Sequence, residues 1–149
     1  MDRPTSEDAL RKLDPLVGEW ALEGSAPGGD AWPAAGRTTF EWHPSGAYLV
    51  QRTVVELPEA PDSICIIGCD AANGTYVQLY SDERGVSRVY EMTIGDGEWK
   101  LWRTGEPFPQ RFTATFSEDG KTMLGRWEKA EDGANYVADF DLTYRRSAE

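Results

Sequence analysis

The stretch Val86-Ser87-Arg88-Val89-Tyr90-Glu91-Met92-Thr93-Ile94-Gly95-Asp96-Gly97-Glu98-Trp99-Lys100-Leu101-Trp102-Arg103 decides the fold. Val86, Tyr90, Met92 and Ile94 share one face of an alternating run, and Trp99 and Leu101 share one face of the next. A period of two is the signature of a strand with one buried side. Asp96-Gly97 between the runs supplies the residues that a tight hairpin turn requires. The same rhythm continues outward in both directions. Asp119-Gly120 separates Gln110–Phe116 from Thr122–Lys129, and Asp132-Gly133 precedes Asn135–Arg145. Upstream, Asn73-Gly74 separates Ser63–Asp70 from Thr75–Ser81, and Pro44-Ser45-Gly46 separates Arg37–His43 from Ala47–Glu56. Val17–Gly24 opens the series, before a Gly- and Pro-rich loop at Ser25–Ala35; Leu57–Asp62, with two prolines, reads as another loop. Such punctuation predicts about ten antiparallel strands in up-and-down order. A sheet of that size stacks as a sandwich or removes its edges by closure, and the expectation is an all-β barrel. Ser6–Asp14 is the one helical segment, ended by Pro15, and is expected to close one end of the barrel.

The chain of 149 residues reads as a single domain over residues 1–149. Acidic residues number 26 against 15 basic ones, for a formal charge of −11. That balance argues against nucleic acid and against anionic membranes as partners, and no basic stripe offsets it. Residues Met1–Asp8 contain no apolar core of a secretory signal, and no run is long enough to span a bilayer, so a cytoplasmic location is expected. Cys65 and Cys69 fall on one face of a strand, roughly 13 Å apart, too far for a disulfide. With two thiols and the lone His43, neither a zinc site nor any cofactor is expected.

Alternation assigns an inner face to Trp20 and Leu22; Phe40 and Trp42; Tyr48, Val50 and Val54; Ile64 and Ile66; Tyr90, Met92 and Ile94. Further round it adds Trp99 and Leu101, Phe112 and Ala114, Met123 and Trp127, and Tyr136, Ala138, Phe140, Leu142 and Tyr144. Trp20, Phe40, Trp127 and Phe140 are expected to be largely buried. Large rings either fill a small barrel or line a cavity in it. Three arginines fall on the apolar faces: Arg52, Arg88 and Arg103, the last near the mouth. An inward guanidinium needs a partner, which Glu56, Asp70 or a ligand carboxylate could supply. The candidate ligand-binding set is therefore Arg52, Arg88 and Arg103 with Trp42, Tyr48, Tyr90 and Trp99. Gln51 is a further candidate, as are Tyr76, Gln78 and Tyr80, which share one face of their strand; which face of that strand points inward the pattern leaves open. His43 reads as a surface residue beside a turn, no nucleophile–base pair can be named, and no catalytic residue is assigned.

Several segments resemble a known group. Leu13-Asp14-Pro15-Leu16-Val17-Gly18-Glu19-Trp20, Phe40-Glu41-Trp42 with Tyr48–Arg52, Ile67-Gly68-Cys69-Asp70, and Tyr80–Val86 with Arg88-Val89-Tyr90 occur in that order. Gly125-Arg126-Trp127-Glu128 and Asp132-Gly133 follow. Together they resemble the DUF1579 group of small bacterial proteins, related to calycin (lipocalin-like) barrels. The resemblance implies a ten-stranded calycin-like barrel close to fatty-acid-binding proteins and nitrobindins. The C-terminal haem-binding histidine of nitrobindins is not present here, nor is the Arg-x-Tyr of fatty-acid-binding proteins. Three functions fit: a cytosolic barrel binding a small, partly apolar molecule, with an anionic end as one option; a barrel enzyme of isomerase or cyclase type; or a filled, non-binding interaction module. A homodimer is compatible with each.

Overall fold

Ten strands close on themselves in a computed structural model that describes residues 6–32, 36–56, 61–70, 72–105 and 107–147. Helix α1 (Ser6–Arg11) and a 3-10 turn (Asp14–Leu16) come first. The strands are β1 (Gly18–Ser25), β2 (Gly36–Trp42), β3 (Leu49–Val55), β4 (Ser63–Asp70) and β5 (Thr75–Asp82). They continue with β6 (Ser87–Gly95), β7 (Glu98–Arg103), β8 (Gln110–Phe116), β9 (Thr122–Lys129) and β10 (Val137–Arg146). Each strand pairs antiparallel with the next, and β10 returns to β1 from Trp20↔Arg146 to Ser25↔Asp141. The hairpin at Asp96-Gly97 has positive φ at both residues, 53° and 77°, the twist that a two-residue hairpin favours. Of the expected loops, the parts at 33–35 and 57–60 lie outside the described residues.

One end of the barrel is closed. Leu13 and Leu16 are fully buried beneath it, and Trp20 Nε1 donates to the Leu16 carbonyl at 2.9 Å. The Tyr76 hydroxyl reaches across to the Ala9 carbonyl of α1 at 2.5 Å. The Arg146 guanidinium lies over the Trp20 ring, 4.1 Å from its centroid, and donates to the carbonyls of Pro15, Val17 and Gly120. Gly18 makes room for it: an added Cβ would stand 2.8 Å from Arg146 Nη1, at a φ of 129° that side chains rarely adopt. Among the described residues no helix is long and apolar enough to cross a membrane. Cys65 and Cys69 are both free thiols.

Two strands are turned the other way from the alternation reading. Leu49 and Gln51 of β3 face inward, whereas Val54 is 43% exposed and Arg52 is exposed. Cys65 and Ile67 of β4 face inward, whereas Ile64 and Ile66 are 45% and 40% exposed. The cause is cross-strand pairing, since residues directly opposite share a face. Tyr90 on β6 is opposite Gln78, Gln78 opposite Ile67, and Ile67 opposite Leu49. The strong inner face of β6, with Tyr90, Met92 and Ile94, thus sets the phase of three neighbours. Tyr48 leaves the inner set for the same reason and stacks on His43 in the β2–β3 turn, ring centroids 4.6 Å apart. On β10 a register shift between Ala138 and Phe140 keeps Phe140 opposite Trp127 but turns Ala138 outward. Tyr136, upstream of the shift, lies under the Arg111 guanidinium. Trp20 and Phe40 are fully buried; Trp127 and Phe140 are half-buried because they stand near the open end.

Candidate binding site at the open end of the barrel

The open end gathers the inward residues nearest the loops that follow β1, β3, β5, β7 and β9. On β6, Arg88 and Tyr90 share the inner face, and Arg103 of β7 is opposite Gln110 of β8. The β6–β7 ladder stops at Glu91↔Trp102, so Ser87–Tyr90 diverge from β7 towards the rim. On the outer side of the divergence lies a hollow of about 390 Å³, lined by Arg88, Val89, Glu91, Trp102 and Arg103 among others.

Three donors converge on one neutral oxygen here. Gln110 Oε1 accepts from Arg88 Nη1 at 2.9 Å, from the Tyr90 hydroxyl at 3.2 Å and from Arg103 Nη1 at 3.4 Å. Arg103 Nη1 also donates to the Phe108 carbonyl at 3.1 Å. An amide oxygen has two lone pairs, so three donors exceed what it can satisfy well. A carboxylate has twice the acceptor capacity and the complementary charge. Burial raises the Tyr90 phenol above its ordinary range, with the neighbouring Arg88 and Arg103 charges acting the other way, so Tyr90 is a donor at neutral pH. At the rim, the Tyr80 hydroxyl donates to Asp82 at 2.6 Å, and Arg84 holds the same carboxylate at 2.7 Å.

The opposite wall is aromatic. Trp127 lies 5.6 Å from Tyr90, 5.0 Å from Phe112 and 6.5 Å from Phe140, centroid to centroid. Trp32, from the loop after β1, folds back against Phe140 and over Gly24, where a Cβ would stand 2.9 Å from its ring. Deeper, β3 and β5 contribute Gln51 and Gln78, each over nine-tenths buried. Gln51 Nε2 donates to Thr38 Oγ1, while Gln51 Oε1, Gln78 Oε1 and Trp99 Nε1 have no hydrogen-bond partner among the described residues. Buried polar atoms in that condition are uncommon, and they line the interior.

Of the sequence-derived set, Arg88, Arg103 and Tyr90 come together. Trp99 lies deeper, packed edge-on to Phe40 and Phe112. Arg52 is on the outer surface, a correction to the inward assignment that follows from the phase of β3. Trp42 and Tyr48 belong to the closed end, where Trp42 borders a groove of about 780 Å³ with Leu10, His43 and Cys69. In that groove His43 Nδ1 is bonded to the Ser45 hydroxyl at 2.8 Å. Gln110 and Trp32 are additions. The ladder partner of Arg103 and the glycine at the end of β1 were the only signals for them. Among the described residues no cluster of three or more His, Cys, Asp or Glu could hold a metal.

Compared with models of known families, the chain matches none, and it matches no curated protein. Among solved structures it is similar to the one titled "Crystal Structure of Rv2717c from M. tuberculosis", at 14% identity and a TM-score of 0.65. The superposition covers 94% of this chain and 98% of that one, a likeness of fold.

Proposed function

We propose that this barrel binds a small, partly apolar molecule through its open end, with an acidic group of the ligand anchored by Arg88, Arg103 and Tyr90. The observation that carries the reading is the convergence of these three donors on the neutral Gln110 oxygen. A ligand carboxylate reaching that point would replace the amide oxygen as acceptor. Trp127, Phe140 and Trp32 offer rings for an apolar body, and the unpartnered Gln51, Gln78 and Trp99 atoms suit a polar group at its inner end. The free thiols of Cys65 and Cys69 accord with a reducing, cytoplasmic setting. We further propose kinship with the DUF1579 group, supported by the order of its motifs and by a barrel of the strand number that the resemblance implies.

Calorimetric titration with decanoate, naphthylacetate and the matching alcohols tests the function. Charge-assisted hydrogen bonds contribute about 1.5–3 kcal/mol each, so acids are expected to bind about 10–100-fold more tightly than alcohols. Arg88→Met and the near-isosteric Gln110→Glu, which puts a carboxylate on the same three donors, should each remove that preference. Equal affinity for acid and alcohol, or no binding of either, overturns the reading.

A further inference from the structure

The inner surface of the barrel has two unlike walls. On one side a cross-strand row runs through Gln51 of β3, Cys65 of β4, Tyr80 of β5 and Arg88 of β6, each directly opposite the next. In the adjoining row towards the closed end, Gln78 of β5 is opposite Tyr90 of β6. Each of these side chains carries a polar atom. Across the interior, β8, β9 and β10 present Phe112, Trp127, Phe140 and Leu142, which carry no oxygen. The two walls meet where the Tyr90 ring stands 5.6 Å from Trp127.

The polar wall holds two acceptors that lack a donor. Gln51 and Gln78 are 7% and 4% exposed. Gln51 Nε2 is spent on Thr38 Oγ1, and the Thr38 hydroxyl is shared with Thr53 at 2.8 Å. The Oε1 atoms of Gln51 and Gln78 have no hydrogen-bond partner among the described residues. A buried carbonyl in that condition costs about 1–3 kcal/mol, and a group that donates to it recovers the loss. The last torsion of a glutamine is soft, so each amide can turn to meet such a group. The wall between the two amides is uncharged. Burial pushes the Cys65 thiol up to about 12, which keeps it protonated at neutral pH. Asp82, at the rim end of β5, is already held by Tyr80 and Arg84. A neutral donor suits such a wall, whereas an ammonium would be buried there with no charge to pair it.

We propose, on the acid-binding reading above, that the ligand is a hydroxylated aromatic carboxylic acid. Its acid lies on Arg88, Arg103 and Tyr90, its ring against Trp127 and Phe140, and its hydroxyl donates to the amide oxygens of Gln78 and Gln51. Gln78 is one strand interval of about 4.8 Å from Tyr90, and Gln51 is three intervals, about 14 Å along the wall, from Arg88. Inward side chains converge on the barrel axis, so the gaps between their ends are shorter. An aryl acid with its hydroxyl remote from the carboxyl joins the two ends across that gap. A saturated fatty acid would leave both oxygens unpaired and offer the rings no flat face.

Calorimetric titration with cinnamate, para-hydroxycinnamate and para-methoxycinnamate tests this, with circular dichroism as the check on folding. The hydroxy acid is expected to bind about five- to tenfold more tightly than cinnamate, as one added neutral hydrogen bond implies. The methoxy acid accepts but does not donate, and should bind no more tightly than cinnamate. In the double variant Gln51→Leu, Gln78→Leu the hydroxy acid and cinnamate should bind equally. Equal affinity of those two acids for the wild-type protein, the result expected of oxygens already paired with buried water, overturns the proposal and leaves the acid anchor standing. A methoxy acid as tight as the hydroxy acid, or a preference that survives in the folded double variant, overturns it too. The wild-type comparison decides the matter even where the double variant does not fold. Binding of decanoate without binding of any of the three aryl acids overturns this proposal alone; binding of none of the four overturns the acid anchor with it.

Discussion

Replacing Gly125 by alanine tests how tightly the aromatic wall is built. Gly125 is buried on β9, opposite Ala114 of β8 and Leu142 of β10. The Phe112 ring lies directly over it: a Cβ added there would stand 2.6 Å from Cε1 and 2.7 Å from Cζ. Carbon atoms rest at about 3.5–4.0 Å, so the ring would have to withdraw by about 1 Å. It has little room to do so, because Trp99 is on one side at 5.1 Å between centroids and Trp127 on the other at 5.0 Å. Overpacking of this kind costs about 1–3 kcal/mol. Loss of glycine freedom in the unfolded chain acts the other way, by about 0.4–1 kcal/mol. The clash wins, and the net loss is about 1–2 kcal/mol, lowering Tm by about 2–8 °C for a chain of this length. Urea denaturation followed by tryptophan fluorescence reads the change as a lower midpoint at constant slope. Phe112→Leu removes the obstructing ring, so the double variant should be more stable than the sum of the two single losses by about 1 kcal/mol. An alanine variant as stable as the wild type, or strictly additive effects, would refute a ring fixed between Trp99 and Trp127.

Burial pushes the Cys65 thiol up to about 12, whereas half-buried Cys69 is raised by burial and then by neighbouring Asp70. In native protein a Cys69→Ala variant should therefore show a Cys65 that reacts with a thiol reagent only as fast as the barrel unfolds; labelling at the rate of an unfolded peptide would contradict the closed wall. Asp82 is held well below the usual carboxylate range, first by the Arg84 side chain and then by the Tyr80 hydroxyl and the Arg84 amide. A lowered folded-state pKa confers stability that is complete above the ordinary value of about 3.9 and is lost as pH falls towards the folded value. The stability difference between wild type and Asp82→Asn should shrink from about pH 6 to about pH 3, and a constant difference in that window would disprove the linkage.

Strand boundaries were legible where turn chemistry is explicit. Ser63–Asp70, Glu98–Arg103, Gln110–Phe116 and Thr122–Lys129 have the limits that their flanking turns indicate. The direction in which a strand faces was legible only where its two sides differ. On β6, Tyr90, Met92 and Ile94 stand against Val89, Glu91 and Thr93, and the inner side is plain. On β4, Ile64 and Ile66 compete with Cys65 and Ile67, and on β3 Val50 and Val54 compete with Leu49 and Gln51. Local hydrophobicity points outward there because the outer row is itself apolar. Pairing to β6 overrides it, and pairing is a property of neighbours that no single strand contains. That is why Arg88 and Arg103 lie on the inner side that the alternation indicates, whereas Arg52 lies on the outer one.

The acidic chain and the inner arginines are compatible for a reason of distance. Charges on exposed faces are screened beyond a Debye length of about 8 Å at physiological ionic strength, so the excess acids act mainly on what approaches the surface. On the proposed reading they would slow an incoming anion, while their screened fields would weigh little at Arg88 itself. At the anchor the surroundings are Tyr90, Phe108 and the barrel wall, where a charge-assisted hydrogen bond is stronger than in water. If the proposed site binds an acid, its selectivity would be set by which donors share the Gln110 oxygen, and the rate of entry by the acids around the rim. The two quantities would be separable: neutralising rim acids such as Glu83 should change association, whereas changing Arg88 should change the preference for acid over alcohol.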